Sequence, residues 1–149
     1  MKKGVTLIEL TVCIAIIGVL SAMAVPCIGS MQRSSLDLST IELLSDIRLC
    51  RQKAMDEDSI YHIFFDSVNK DYMIYSYKDM NNCIVKIKKL PNGINFDKSK
   101  SSYRNNKISF NAIGKPLPHP CTITLKNSFG QHRSITIAIA TDYIGIKNE

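Results

Sequence analysis

"KKGVTLIEL", residues Lys2 to Leu10, sets a carboxylate, Glu9, at the mouth of a long apolar run: from Leu10 to Ile28 there is no charge for 19 residues. As a helix rising about 1.5 Å per residue this run is about 28 Å long, close to the ~30 Å hydrocarbon core of a bilayer, so its length predicts a membrane-spanning helix. Lys2 and Lys3 precede it and Arg33 is the first charge after it. The positive-inside rule then keeps the short N-terminus in the cytoplasm and sends the rest of the chain outside. An acid at such a boundary is costly unless something satisfies it. Thr6-Leu7-Ile8-Glu9 fits a capping box, in which the Thr hydroxyl and the Glu carboxylate serve unpaired N–H groups at a helix start, near the positive end of the helix dipole.

With 149 residues there is room for one modest domain and one anchoring segment, and not for two independent cores. The formal charge of +6 includes Lys2 and Lys3, and 21% charged residues is ordinary for a folded surface. So small a bias steers weakly and argues against dedicated nucleic-acid binding. A rival for the apolar run is a secretory signal peptide, because Ser21-Ala22-Met23-Ala24 holds an A-x-A-like site; a secreted β protein would then be released after Ala24. Glu9 at the start of the run and Pro26 just after the site count against it. A lipoprotein is disfavoured because Pro26 precedes Cys27 where a small residue belongs.

The wider pattern is more specific. Gly4 follows two lysines and precedes Val5-Thr6-Leu7-Ile8-Glu9-Leu10; Ile14-Ala15-Ile16-Ile17-Gly18-Val19-Leu20 follows, and Pro26 falls seventeen residues after Glu9. This resembles the N-terminal signature of type IV prepilins and type II secretion pseudopilins. The resemblance implies that prepilin peptidase cuts the Gly4–Val5 bond on the cytoplasmic side and that the new amino group of Val5 is N-methylated. Val5 departs from the phenylalanine or methionine usual there. Glycine before the cut suits close approach of a peptidase to an extended chain, since no Cβ intervenes. In the family, the carboxylate matching Glu9 meets the amine of an adjacent subunit, and the stretch matching Gly18 to Pro26 loosens on assembly. Taken by themselves, Gly18 and Ala22 form a small-xxx-small pair that admits another backbone. Pro26 lacks an N–H and clashes with the carbonyl of Ala22, which predicts a kink.

Beyond the apolar run the helix continues on paper. Leu36, Leu43, Ile47, Cys50 and Ala54 recur at spacings of seven, four, three and four, one face of an amphipathic helix, with Leu38, Ile41, Leu44 and Met55 broadening the stripe. Asp56-Glu57-Asp58 oppose the negative helix end and mark its stop; no calcium-loop spacing accompanies them. The period then changes to that of strands. Ile60–Phe65 and Tyr72–Tyr77 flank the polar stretch Asp66 to Asp71 as a hairpin, and Cys83 to Leu90 alternates until Pro91-Asn92-Gly93. Lys107 to Phe110, Cys121 to Leu125, Ser134 to Ala140 and Tyr143 to Ile146 follow as strands. Residues 97–106, rich in Ser and Asn, read as a mobile exposed loop. Pro116 to Pro120 reads as a stiff connector.

Ile108-Ser109-Phe110-Asn111, Gly114, Thr122-Ile123-Thr124-Leu125, Gly130, Ser134-Ile135-Thr136-Ile137 and Gly145 resemble the GspH/FimT class of minor pseudopilins, although Gly145-Ile146 lacks the basic residue common near the end of that class. The fold expected is α+β and pilin-like: a long N-terminal helix, its first half transmembrane, packed on a small antiparallel β domain. Its parts are a leader at 1–4, a transmembrane half-helix at 5–28, an amphipathic half at 29–58 and a β domain at 59–149. The resemblance implies a minor pilin-like subunit of the inner membrane, N-in and C-out, that joins an extracytoplasmic type II secretion pseudopilus or type IV pilus. Its partners would be the prepilin peptidase and N-methyltransferase, the major pseudopilin, other minor pseudopilins and the inner-membrane assembly platform. DNA uptake by a competence pseudopilin is the alternative within this fold.

Enzyme chemistry finds no footing in the sequence. His62, His119 and His132 stand apart, without Cys or carboxylate at metal-ligand spacing, and there is no phosphate loop or nucleophile motif, so neither metal nor cofactor is expected. Of five cysteines, Cys13, Cys27 and Cys50 read as small apolar fillers. Cys83 and Cys121 begin two strand-like runs and are the pair open to a bridge, which an extracytoplasmic compartment permits.

Overall fold

The structure is a computed structural model that describes residues 6–78, 81–138 and 143–147, with the side chains of 23–28, 78, 81 and 82 outside the description. Among the described residues one helix, α1 (Leu7–Asp56), is followed by nine strands: β1 (Tyr61–Asp66), β2 (Asp71–Lys78), β3 (Asn81–Lys89), β4 (Ile94–Phe96), β5 (Lys107–Phe110), β6 (Pro116–Leu117), β7 (Cys121–Asn127), β8 (His132–Ile137) and β9 (Ile144–Lys147). They form two antiparallel sheets, ordered β3-β2-β1-β5-β6 and β4-β7-β8-β9, and both pack on α1.

The helical stripe Leu36, Leu43, Ile47, Cys50 and Ala54 is fully buried, and it is the seam on which the sheets close. The inward positions of β1 and β2, Tyr61, Ile63, Phe65, Tyr72 and Ile74, meet it from one sheet; Ile123, Leu125, Ile135 and Ile137 meet it from the other. Alternation along β1 follows the period of two, each buried residue followed by a half-buried one. Leu38 and Ile41 depart from expectation, at 65% and 55% exposed, because a helix of 3.6 residues per turn carries them round to the face opposite Leu43. Ile47→Ala would leave a cavity in the seam costing about 2–5 kcal/mol. Thermal unfolding of the folded domain should show a fall in Tm of about 5 °C or more; a smaller shift would mean that the sheets do not close on the helix as described.

Polar ties fix each sheet to α1 separately. On the first, Asp46 accepts from the Tyr72 hydroxyl at 2.6 Å and pairs with Lys86 Nζ at 2.7 Å, while Lys88 reaches Glu42 at 2.7 Å. Burial and the Asp46 carboxylate both hold the Tyr72 phenol protonated, pushing it above its ordinary range. On the second, Arg133 Nε donates to Asp37 at 2.6 Å and Arg48 donates to the Ile144 carbonyl at 3.0 Å.

The β region differs from the sequence reading in several places: the connector Pro116 to Pro120 opens with the short strand β6 paired to β5, and Ile94–Phe96 forms β4 against β7 where no strand was expected. Residues 97–102 are not a free loop. Asp97 N donates to the Thr124 carbonyl at 2.8 Å and Ser102 N to the Thr122 carbonyl at 2.9 Å, while the hydroxyls of Ser101 and Ser102 accept from Thr124 N and Thr122 N. The serines that suggested solvent thus continue β4 along β7 through side-chain hydrogen bonds. Asp97 is only 4% exposed; the Ser99 hydroxyl, chiefly, holds its carboxyl below the usual range, with Lys126 and His132 adding to the effect. The Cys83–Cys121 bridge is not formed either: both thiols are free, Cys83 on the outer strand of one sheet and Cys121 buried in the other. Burial pushes the Cys121 thiol up to about 12, which makes it inert at neutral pH.

Candidate assembly site at the helix N-terminus

Thr6 caps α1 with extended backbone, φ −78° and ψ 151°. Its hydroxyl accepts from Glu9 N at 3.4 Å and donates to Glu9 Oε2 at 3.0 Å, while Thr6 N donates to the same carboxylate oxygen at 2.9 Å. Both arms of the capping box are therefore closed, as Thr-x-x-Glu predicts. The carboxylate is left facing outward with its charge uncompensated by any cation among the described residues.

The turns that follow present apolar side chains on every side. Leu7, Ile8, Leu10, Val12, Ile14, Ile16, Ile17, Val19 and Leu20 are all more than half exposed. A helix apolar all round belongs in a membrane or inside an assembly. Its two hydroxyls are consistent with this, since Thr11 Oγ1 donates to the Ile8 carbonyl at 3.0 Å and Ser21 Oγ to the Ile17 carbonyl at 2.8 Å, so neither needs water. A Cβ added to Gly18 would meet nothing within 4 Å, which leaves the gap open to a neighbour's backbone. Among the described residues no helix is long and apolar enough to cross a membrane; the described side chains of the apolar run stop at Ala22, short of its end at Ile28.

Gly4 and Val5 lie outside the described residues, and the side chain of Pro26 does as well, though α1 continues across position 26. Of the sequence-derived residues that fall in view, Glu9 is tied to Thr6 within the same turn and a Cβ on Gly18 would meet nothing within 4 Å among the described residues; both lie on the helix ahead of the domain. The histidines stay apart too. His62 Nδ1 sits 2.6 Å from Ser109 Oγ, and burial followed by the nearby Lys107 holds its imidazole below its ordinary value. His132 faces Asp97 at 3.2 Å and His119 is exposed. No group of three or more His, Cys, Asp or Glu gathers at metal-binding range among the described residues.

The helix with its two antiparallel sheets has counterparts of known structure over about three quarters of the chain. The minor pseudopilin EpsH from the type 2 secretion system of Vibrio cholerae superposes with a TM-score of 0.63 at 10% identity, over 76% of this chain and 96% of that one. The type IV minor pilin FimU of Pseudomonas aeruginosa gives 0.64 at 16% identity, over 78% and 91%. The fold is pilin-like. Residues 1–25 match the prokaryotic N-terminal methylation motif, and that match contains the capped, apolar start of this pilin-like helix. No curated protein matches the chain in sequence.

Proposed function

We propose that the chain is a minor pilin-like structural subunit, cut by prepilin peptidase between Gly4 and Val5 and methylated at Val5. Residues 5–28 would anchor it N-in and C-out in the inner membrane until it joins a type II secretion pseudopilus or type IV pilus that serves protein export. The observation that carries this reading is the methylation motif at residues 1–25 running directly into an unpartnered apolar half-helix. That half-helix is of no use to an isolated soluble domain, and it supplies what a membrane anchor and a fibre core both need. A structural role accords with a molecule whose exposed features are an assembly helix and two sheets. Its partners would then be the processing peptidase, the major pseudopilin, other minor pseudopilins and the assembly platform.

The N-terminus of the mature protein tests the reading. Mass spectrometry should find a chain beginning at N-methylated Val5. A chain beginning at Val25 would mean a signal peptide cut after Ala24, and would replace the subunit by a secreted β protein.

A further inference from the structure

We propose that the turn between β7 and β8 is a second membrane contact, with Phe129 seated in the headgroup layer; this rests on anchorage by residues 5–28. A single exposed apolar side chain is ordinary on a protein surface. What sets Phe129 apart, at 59% exposed, is its level along the helix. Ser128 Oγ donates to the Gly93 carbonyl at 3.3 Å, and a Cβ on Gly93 would stand 2.8 Å from Gln32 Oε1, so this end of the second sheet lies against Gln32. Gln32 is four residues past Ile28, the end of the apolar run, or about 6 Å along the axis. The headgroup region on each side of a bilayer is about 5–7 Å deep, taking ~30 Å of hydrocarbon from 40–45 Å in all. The turn therefore begins where the headgroups are.

Strand geometry brackets the level of Phe129. β8 touches α1 where Arg133 meets Asp37. Phe129 is four residues earlier, but the strand ends at His132 and residues 128–130 form the turn, so Phe129 lies less than about 13 Å below Arg133, between the levels of Asp37 and Ile28, which are about 13 Å apart along the helix. The turn is also firm: Asn127 Oδ1 accepts from both Phe129 N and Gln131 N at 3.0 Å, and Gly130 N donates to the Asn127 carbonyl at 3.2 Å. Phe129 is thus held out rather than left loose. Met31 and Arg33, both exposed on the helix at this level, supply an apolar neighbour and a cation for anionic headgroups. A helix alone leaves the domain free to swing about its anchor. A helix and a hairpin tip together fix which side of the domain faces the membrane.

The chain has no tryptophan, so one introduced residue reports alone. The full-length protein carrying Phe129→Trp, Leu20→Trp or Ile113→Trp would be placed in phosphatidylglycerol–phosphatidylcholine vesicles holding lipids spin-labelled near the headgroup or deep in the acyl chain. Phe129→Trp should emit at shorter wavelength than Ile113→Trp and be quenched more by the shallow label than by the deep one. Leu20→Trp should be quenched chiefly by the deep label. Ile113→Trp, beside Gly114 and hence Met55 at the far end of the helix, should be quenched by neither. Water-like, unquenched emission from Phe129→Trp beside a quenched Leu20→Trp would overturn the hairpin contact and leave the anchor standing. An unquenched Leu20→Trp would remove the anchor, and the inference with it.

Discussion

Glu9→Val should insert and be cleaved as the parent chain is, yet be missing from the assembled fibre, its crosslinking to neighbouring subunits falling by more than about tenfold. A lone carboxylate costs about 2.5–3.5 kcal/mol at the centre of a membrane helix and less toward the boundary where Glu9 stands, so a partner cation still gives the subunit a reason to associate. The structure makes the competing explanation concrete, because Glu9 closes a capping box on Thr6. A cap is worth about 1 kcal/mol and says nothing of neighbours. Thr6→Val separates the two: it opens the cap and spares the charge. Crosslinking of Thr6→Val should stay near the parent level. Equal loss in both variants would assign the defect to the helix start and dismiss the pairing.

Gly4→Val should accumulate as an uncleaved, membrane-bound precursor, with the mature form reduced to a trace in the mass spectrum. The peptidase must bring an extended backbone against its catalytic groups, and a β-branched side chain fills the space that glycine leaves open. Without cleavage there is no amine at Val5, so this variant should also fail to assemble although Glu9 is intact. Mature protein of normal mass from Gly4→Val would refute processing at that bond.

Much of the architecture could be read from periodicity because burial is strict there. Leu36, Leu43, Ile47, Cys50 and Ala54 are fully buried, and the hairpin of β1 and β2 turns between Asp66 and Asp71, where polar residues interrupted the apolar alternation. The capping box was legible because it is a local device, complete within four residues. What stayed hidden depends on tertiary partners. Composition alone could not tell that Ser101 and Ser102 would complete a strand edge, since a hydroxyl bonding to a distant N–H looks in sequence like one bonding to water. The division into two sheets was likewise invisible, and with it the reason Cys83 and Cys121 do not meet. The level of Phe129 follows from tertiary contacts alone: Gly93 lies against Gln32, sixty-one positions away in the chain, and Arg133 meets Asp37, ninety-six positions away.

The separate fastening of the two sheets matters once force runs along the helix. Asp37, Glu42, Asp46 and Arg48 hold the β region at points spread over twelve residues of α1, about 16 Å of its length. A push or pull on the helix is parallel to this seam, so it loads these ties together and shears the interlocked side chains between them. Peeling would instead break them one after another, each at low force. The geometry therefore resists axial load far better than sideways load. A domain hung this way can ride on a moving helix without unfolding, while a lever applied to the edge strand β3 would find its weak direction.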